Sequence, residues 1–598
     1  MITVLFSIFS IFACVACKDG SKVYLMSIID GISQDALRKY LPNADYIIKE
    51  LFEDGMMYTD ARVDQFLTQT AVSHPSIYTG SPPSVHSIVA EEWIDRLTGE
   101  EVFGYNMEGI LSTSGSEMPE LPNSPGKMIG STYMDEFIRK NPDSEVFLSG
   151  SKDRSGFMGG HHGIKPYAFH WGCALPEIAG EYYSTTYFMD ELDQFAIDFN
   201  ADKTTKFVGP IVWNLEYDIE KYVNKDTDKG SKFGSPLVPD QKTTFPIVID
   251  VDGAGPRVCS RGDGVDYMIF MNSAFGIEVE VDFVKAGIVE KNIGLRGVDD
   301  FLQINWSEFD YIGHYDGPNS LTHEDIFYKI DKGLKEIVDL LITRGVKRKD
   351  IVIVITGDHG MADTLEDKQD NGFSYADSTQ NLLGEGCLGY TDKDAFDVCV
   401  NENSLIYKIN EAVKAKVGID YNVITEIRTN YYGYVDWMVK HPGFGKSFIT
   451  FVPEVQTEDF LYTVESIVAD MITRSPMFST AVTRTDIIRG YVNDKDLTVG
   501  FHPENSGNVL FGVDQDIYHW PKYVRNYGLD STHGTEWGYD NNIPLLFWGD
   551  EIPSGVCDRT VYHSAIAPTL ARIGGWGKTT GGKGETLKEV VSNIPFIN

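Results

Sequence analysis

Positive charge is scarce in this chain of 598 residues: 51 Lys and Arg stand against 88 Asp and Glu, a formal net charge of −37. Such a surface repels a nucleic-acid backbone and an anionic bilayer alike, so nucleic-acid polymers are excluded as partners. A small anionic substrate stays compatible with that balance, provided the few basic side chains gather in one pocket. Long apolar runs are nearly absent too. The one long candidate is the N-terminal "MITVLFSIFSIFACVACKDG", too short to span a bilayer comfortably and too hydrophobic to begin a mature chain. Residues 1–17 therefore read as a cleaved export signal, although a positive n-region is missing; a lipoprotein anchored at Cys17 is the alternative. With no other such run and no anchor-like tail, the expectation is a secreted, periplasmic or otherwise extracytoplasmic protein that does not span the membrane.

Cysteine is equally sparse, with Cys173, Cys259, Cys387, Cys399 and Cys557 left after that segment. In an exported chain these favour disulfides over metal thiolates; Cys387 and Cys399 are spaced for a hairpin staple, and burial as free thiols is the other reading. No internal repeat or low-complexity tract interrupts the chain. "RGD" at 261–263 and "GKTTGGKGET" near the end lack the context their motifs need and read as loops. The sequon at Asn305 falls on an apparent core strand, which would leave it unglycosylated.

What the chain has in quantity is hydrophobic residues, 42% of the total, enough for one large core plus a further layer or subdomain. "VYLMSII" (23–29), "FLQINW" (301–306), "IVIVIT" (351–356) and "IPLLFWG" (543–549) are short, continuous apolar runs that suit strands covered on both faces. Helical patterns such as "DALRKYLPNADYIIKELFEDG" and "TEDFLYTVESIVADMIT" lie between them, so the fold class is α/β, layered around a mostly parallel sheet. Residues 18–598 form one catalytic domain in this reading, with insertions at about 165–290 and 365–525 that cap the functional edge of the sheet. Within the first, "TTFPIVIDVDG" and "FGIEVEVDFV" alternate as a small separate sheet would.

Strand ends carry the chemistry. The run 23–29 leads into Asp30, the run 351–356 into Asp358 and His359, and the run 301–306 into Asp310 and His314, four residues apart; His533 precedes the run 543–549. Ligands of open α/β sheets gather at the carboxyl ends of strands. Three aspartates and three histidines, with no cysteine among them, suit two zinc ions or a close substitute. Two metals a few ångströms apart form a clamp for displacement at phosphorus, which calls for a nucleophile. The stretch "QFLTQTAVSHPSIYTG" (65–80) offers Thr68, Thr70, Ser73, Ser76 and Thr79, and nothing within it selects one.

These segments together, "IIDG", "TQTAVSHPSIYTG", "DYIGHYDGP", "TGDHGM", "THGTEWGYDNNIPLLFWG" and "SAIAPTLARIGG", resemble the alkaline phosphatase superfamily over nearly the full length. The resembling branch holds nucleotide pyrophosphatase/phosphodiesterases and PafA-type threonine-nucleophile alkaline phosphatases. The resemblance implies a three-layer alkaline-phosphatase-like sandwich and makes Thr70 the nucleophile. It assigns one metal to Asp310, His314 and His533, and the other to Asp30, Asp358, His359 and the Thr70 oxygen. The backbone N–H of Ala71, at the start of a helix, would bond a phosphoryl oxygen. His74 is implied to have a packing or hydrogen-bonding role. "SKDRS" resembles the element whose lysine and arginine, here Lys152 and Arg154, contact the transferred phosphoryl group and favour monoesters. One position departs: where the family has an asparagine that donates to phosphate, this chain has Glu91. Glu91 either pairs with Lys152 or Arg154, which is the favoured account, or is protonated, or helps hold a cation. The resemblance thus implies an exported two-zinc phosphomonoesterase acting on small phosphate esters through a phosphothreonine. A phosphodiesterase or nucleotide pyrophosphatase with the same machinery is the alternative, and a weakly active binding homologue is the third reading.

Overall fold

The computed structural model describes residues 20–113, 123–160, 167–171, 180–203, 211–227, 244–249, 273–364, 366–367, 376–377, 402–427, 443–444, 447–515, 517–518 and 531–594. The proposed signal, Cys17, the "RGD" stretch and the cysteines at 173, 259, 387 and 399 lie outside them. Cys557 is half-buried and forms no disulfide among the described residues.

A ten-stranded sheet organises the protein. Its strands are β1 (Val23–Ile29), β2 (Met56–Arg62), β3 (Val146–Gly150), β4 (Tyr167–Trp171), β5 (Tyr182–Tyr183), β6 (Asp300–Trp306), β7 (Ile351–Gly357), β8 (Asn542–Trp548), β9 (Gly555–Cys557) and β10 (Val561–Tyr562). The spatial order is β9-β2-β8-β7-β1-β6-β3-β4-β5, with β10 beside β2. β1 lies parallel to β6 and β7, and β3 parallel to β6 and β4, while β8 runs antiparallel to both β7 and β2. The four apolar runs are all strands of this sheet, and their continuous hydrophobicity has a direct cause. Leu25, Ile29, Leu302, Ile304, Ile353 and Ile355 face one apolar layer, whereas Tyr24, Met26, Ile28, Phe301, Val352 and Val354 face the other. With both faces covered, no position in these strands is left for a polar side chain to meet water.

The layers are helical. α1 (Thr70–Thr79) packs on one face; α2 (Ala274–Glu290) and α4 (Leu321–Arg344) pack on the other, next to the short α3 (Glu308–Asp316). "FGIEVEVDFV" is part of α2 and not a strand. Its alternating β-branched residues imitate a strand, but Ile277, Val281, Val284 and Ile288 continue one stripe at helical spacing, and that stripe is buried. Val281 meets Gly333 of α4 so closely that a Cβ there would lie 2.6 Å from it. "TTFPIVIDVDG" does contribute a strand, Ile247–Ile249, paired with Ile211–Trp213 in a two-stranded sheet. Residues between 404 and 513 build a separate five-stranded sheet with helices Leu405–Val417 and Leu461–Thr473 over their own apolar cluster. Asn305 is buried in β6, its amide donating to the Ser149 carbonyl, so the sequon cannot reach solvent.

Candidate active site

The parallel strands deliver their carboxylates to one edge. Ile29 pairs with both Trp306 and Gly357, so Asp30, the start of α3 and Asp358 leave the sheet at the same level. His533 reaches that edge for a different reason than its relatives. It precedes β8, and because β8 is antiparallel its beginning lies beside the end of β7. Asp310 occupies the first turn of α3 and His314 the last, one turn apart on the same face. Gly31 is left-handed (φ +78°), and a Cβ there would come 3.1 Å from Asp310, so glycine lets β1 turn beneath that carboxylate.

Asp30, Asp310, Asp358, His314, His359 and His533 are all buried, and Thr70 stands among them. Thr70 opens α1 after Gln69, an N-cap without a side-chain capping bond, and its Oγ1 lies 3.3 Å from His359 Nε2. Ala71 follows in the same buried first turn. The three imidazoles share one orientation. His314 Nδ1 bonds the Ser531 carbonyl at 2.9 Å, His359 Nδ1 that of Gly360 at 2.9 Å and His533 Nδ1 that of Thr68 at 2.7 Å. A carbonyl can only accept, so each Nδ1 carries the proton and, in the neutral ring, each Nε2 presents a lone pair. Those lone pairs face carboxylates: His314 Nε2 is 3.2 Å from Asp310 Oδ2, His533 Nε2 3.6 Å from Asp310 Oδ1 and His359 Nε2 3.4 Å from Asp358 Oδ2. Asp30 Oδ1, Asp310 Oδ1 and Asp358 Oδ2 are buried and accept no hydrogen bond among the described residues. Lone pairs aimed at buried carboxylate oxygens are stable only with cations between them, and backbone carbonyls holding Nδ1 are the usual support of metal-ligating histidines. The donor set therefore fits divalent metal.

The ligand atoms fall into two tight groups, Asp310 with His359 and His533, and Asp30 with Asp358 and His74. The sets implied by resemblance are close together as well, with His314 and His533 at Asp310 and His359 at Asp358 and Asp30. His359 Nε2 stands between the groups, 3.5 Å from Asp30 Oδ1, and its ring stacks on His533 at 3.6 Å. His74, expected only to pack or hydrogen-bond, does donate from Nδ1 to the Tyr78 hydroxyl at 2.7 Å. That direction follows because the Tyr78 proton goes to the Ser155 carbonyl and Gln303 donates to the same oxygen. Its Nε2 nevertheless sits 3.5 Å from Asp358 Oδ2. Burial would raise all three carboxylates; Asp358 and Asp310 push Asp30 higher still, whereas His314 and Lys152 carry Asp310 well below its usual range.

Lys152 and Arg154 lie on the turn after β3. The Lys152 ammonium, 1% exposed, reaches Asp30 Oδ2 at 2.8 Å, Asp310 Oδ2, and Thr70 Oγ1 at 3.4 Å. Arg154 Nε donates to Glu91 Oε1 at 2.9 Å, which is the contact the ion-pair account of Glu91 calls for. Glu308 escaped sequence reasoning. It accepts from Ser151 Oγ at 2.8 Å, pinning the Lys152 turn to α3, and burial with Glu280 nearby pushes its carboxyl up to about 8. Its place two residues before Asp310 was the one available signal.

The sequence profile of the type I phosphodiesterase/nucleotide pyrophosphatase family matches residues 25–421. The chain belongs to that family of phosphoric ester hydrolases. Among curated relatives it is 24% identical over 575 residues to alkaline phosphatase PhoV of Synechococcus elongatus, covering 95% of this chain and 93% of that one. It is 24% identical over 577 residues to alkaline phosphatase PafA of Elizabethkingia meningoseptica, covering 95% and 94%. The crystal structure of wild-type PafA superposes with a TM-score of 0.75 at 21% identity, covering 96% of this chain and 99% of that one, and shares the fold. A second PafA structure matches equally well and carries a threonine-to-serine change with an asparagine, a lysine and an arginine replaced by alanine.

Proposed function

We propose that this family member is an exported phosphomonoesterase that uses two zinc ions and a phospho-Thr70 intermediate to hydrolyse small phosphate esters. The observation that carries the reading is the set of three imidazole lone pairs and three buried carboxylates around the Thr70 hydroxyl. An all-oxygen-and-nitrogen donor set of this kind suits zinc. Two zinc ions held by Asp30, Asp310, His314, Asp358, His359 and His533 would lower the pKa of a bound hydroxyl and balance charge on both sides of an in-line displacement. The threonine oxygen then bonds phosphorus as the bond to the leaving alcohol breaks, and the alcohol takes up a proton. Water reverses the process, releasing phosphate and the threonine hydroxyl. Lys152, next to Thr70, supplies a charge to the transferred group, and Arg154 a second. Support comes from the residue types altered together in the second PafA structure, a threonine, an asparagine, a lysine and an arginine, of which this chain has Thr70, Lys152 and Arg154 in corresponding order.

A phosphodiesterase is the second reading, and the Arg154–Glu91 pair is what favours it. Purified protein assayed on p-nitrophenyl phosphate and bis-p-nitrophenyl phosphate, with and without a chelator, separates the two. The expected result is faster monoester turnover that is lost with the chelator and in Thr70→Ala. Preference for the diester would refute the monoesterase, and chelator-insensitive or absent turnover on both would refute hydrolysis by this site.

A further inference from the structure

We infer that Glu91 sets the charge selectivity of the phosphoryl pocket, acting through Arg154 to weaken the preference for a dianionic phosphoryl group over a monoanionic one. The inference rests on the phosphohydrolase reading of the Thr70 site and names the residue that tunes its substrate class. Glu91 is 8% exposed and Arg154 6%, so their contact is sheltered from solvent and poorly screened. Both partners are held by their backbones. The Glu91 N–H donates to Gln69 Oε1 at 3.1 Å, on the residue just before Thr70, and the Glu91 carbonyl accepts from Gly104 N at 2.8 Å. The turn bearing Arg154 is tied to α1 where Tyr78 donates to the Ser155 carbonyl at 2.8 Å. With both backbones tied to the segment around Thr70, the pair is a built feature of the wall next to the nucleophile.

Its electrostatic consequence follows from the signs. Lys152 and Arg154 bring two positive charges to this wall. Glu91 at 2.9 Å from Arg154 Nε and Asp153 at 3.4 Å from Nη1 bring two negative ones, so the four groups sum to zero. With an amide at position 91 the sum would be +1. A monoester dianion carries one more negative charge than a diester, and the Arg154 charge that would favour it is the one the Glu91 carboxylate takes up. Arg154 keeps a geometric role as a donor, while the advantage its charge gives to the dianion is largely cancelled by its partner. The site is expected to accept both mono- and diesters, with a narrower margin between them than its lysine and arginine alone would set.

The test compares zinc-loaded wild type, Glu91→Gln and Glu91→Asn on p-nitrophenyl phosphate and bis-p-nitrophenyl phosphate. The ratio of kcat/KM for monoester over diester should rise roughly tenfold or more in both variants, almost wholly through the monoester, as removing a sheltered charge at this range implies. Glu91→Asp should stay near wild type, and in an Arg154→Ala background Glu91→Gln should raise the ratio by less than about threefold, since the partner through which it acts is gone. A merely structural role would change both substrates together and leave the ratio unmoved, which would overturn the inference. Should no Thr70-dependent turnover be found, the reading of the function falls while this inference is still decided by calorimetry of inorganic phosphate with the zinc-loaded Thr70→Ala protein. Tighter phosphate in the added Glu91→Gln change sustains it; unchanged, weaker or undetectable binding overturns it.

Discussion

Replacing Lys152 by methionine is the most informative single change, because it keeps the length of a fully buried side chain and removes only its charge. The ammonium lies 3.4 Å from Thr70 Oγ1, so a phosphoryl group transferred to that oxygen would have its own oxygens within about 4 Å of Nζ. One unit-charge pair at that separation is worth about 4 kcal/mol when the effective dielectric constant is near 20. Asp30, at 2.8 Å, and Asp310 already take up part of the lysine's charge, so about half survives for the substrate. A net effect of about 2 kcal/mol or more corresponds to a loss of at least roughly thirtyfold in kcat/KM on p-nitrophenyl phosphate. The diester, with one charge fewer, should lose less. Bound metal must be quantified in the same preparations, since the lysine also touches Asp30 and Asp310. A loss below about threefold at full metal content, or equal losses on both substrates, would refute the electrostatic argument.

Three further outcomes follow from the structure. Asp331 on α4 accepts the N–H groups of Ile47 (2.8 Å), Ile48 (2.7 Å) and Tyr46 (3.0 Å), capping the helix Ile48–Asp54, whose own N-cap residue makes no side-chain bond. Asp331→Ala should therefore cost about 3 kcal/mol in urea unfolding, and Asp331→Asn clearly less; equal costs would show the cap to be unimportant. Gly360 lies so close to Tyr539 that an added Cβ would meet its carbonyl oxygen at 2.0 Å, and its own carbonyl holds His359. Gly360→Ala should thus lower the divalent metal retained after dialysis, and wild-type metal content would count against His359 as a ligand. Burial, joined by His563, pushes His86 down to about 3, and burial pushes His170 down to about 4. Because both pKa values fall on folding, the unfolded chain binds more protons below about pH 6.5 and stability drops as pH falls, by up to about 1.4 kcal/mol per pH unit for each histidine. Guanidinium titrations at pH 7, 6 and 5 should show that slope, reduced in His170→Gln; an unchanged slope in the variant would contradict the assignment.

Much of the sheet was legible in the sequence because its strands are buried on both faces, which leaves continuous apolar runs where surface strands would alternate. "VYLMSII" and "IVIVIT" are strands β1 and β7 over the expected residues, β7 extending one further. The candidate ligands Asp30 and Asp358 stood out for a related reason, since an acidic residue just after such a run lies at the sheet's edge. α2 was misread because a helix rich in Val and Ile shows both periods over ten residues, and what decides between them is the partner surface on α4, which the local sequence does not contain. Glu308 was missed despite its place beside Asp310 because its role depends on Ser151, more than 150 residues away.

By its sequence alone, then, the chain determined its family, its layered α/β architecture, the residues at the strand ends and the substitution at position 91. Tertiary structure decided how those residues meet. Only the antiparallel course of β8 brings His533 to the metal-binding edge, only backbone carbonyls from Thr68, Gly360 and Ser531 aim the three lone pairs, and only the turn after β3 brings Arg154 to Glu91. The reason is physical: residue identity supplies charge and donor type, but tautomer, pairing and net local charge are properties of distances between segments far apart in the chain.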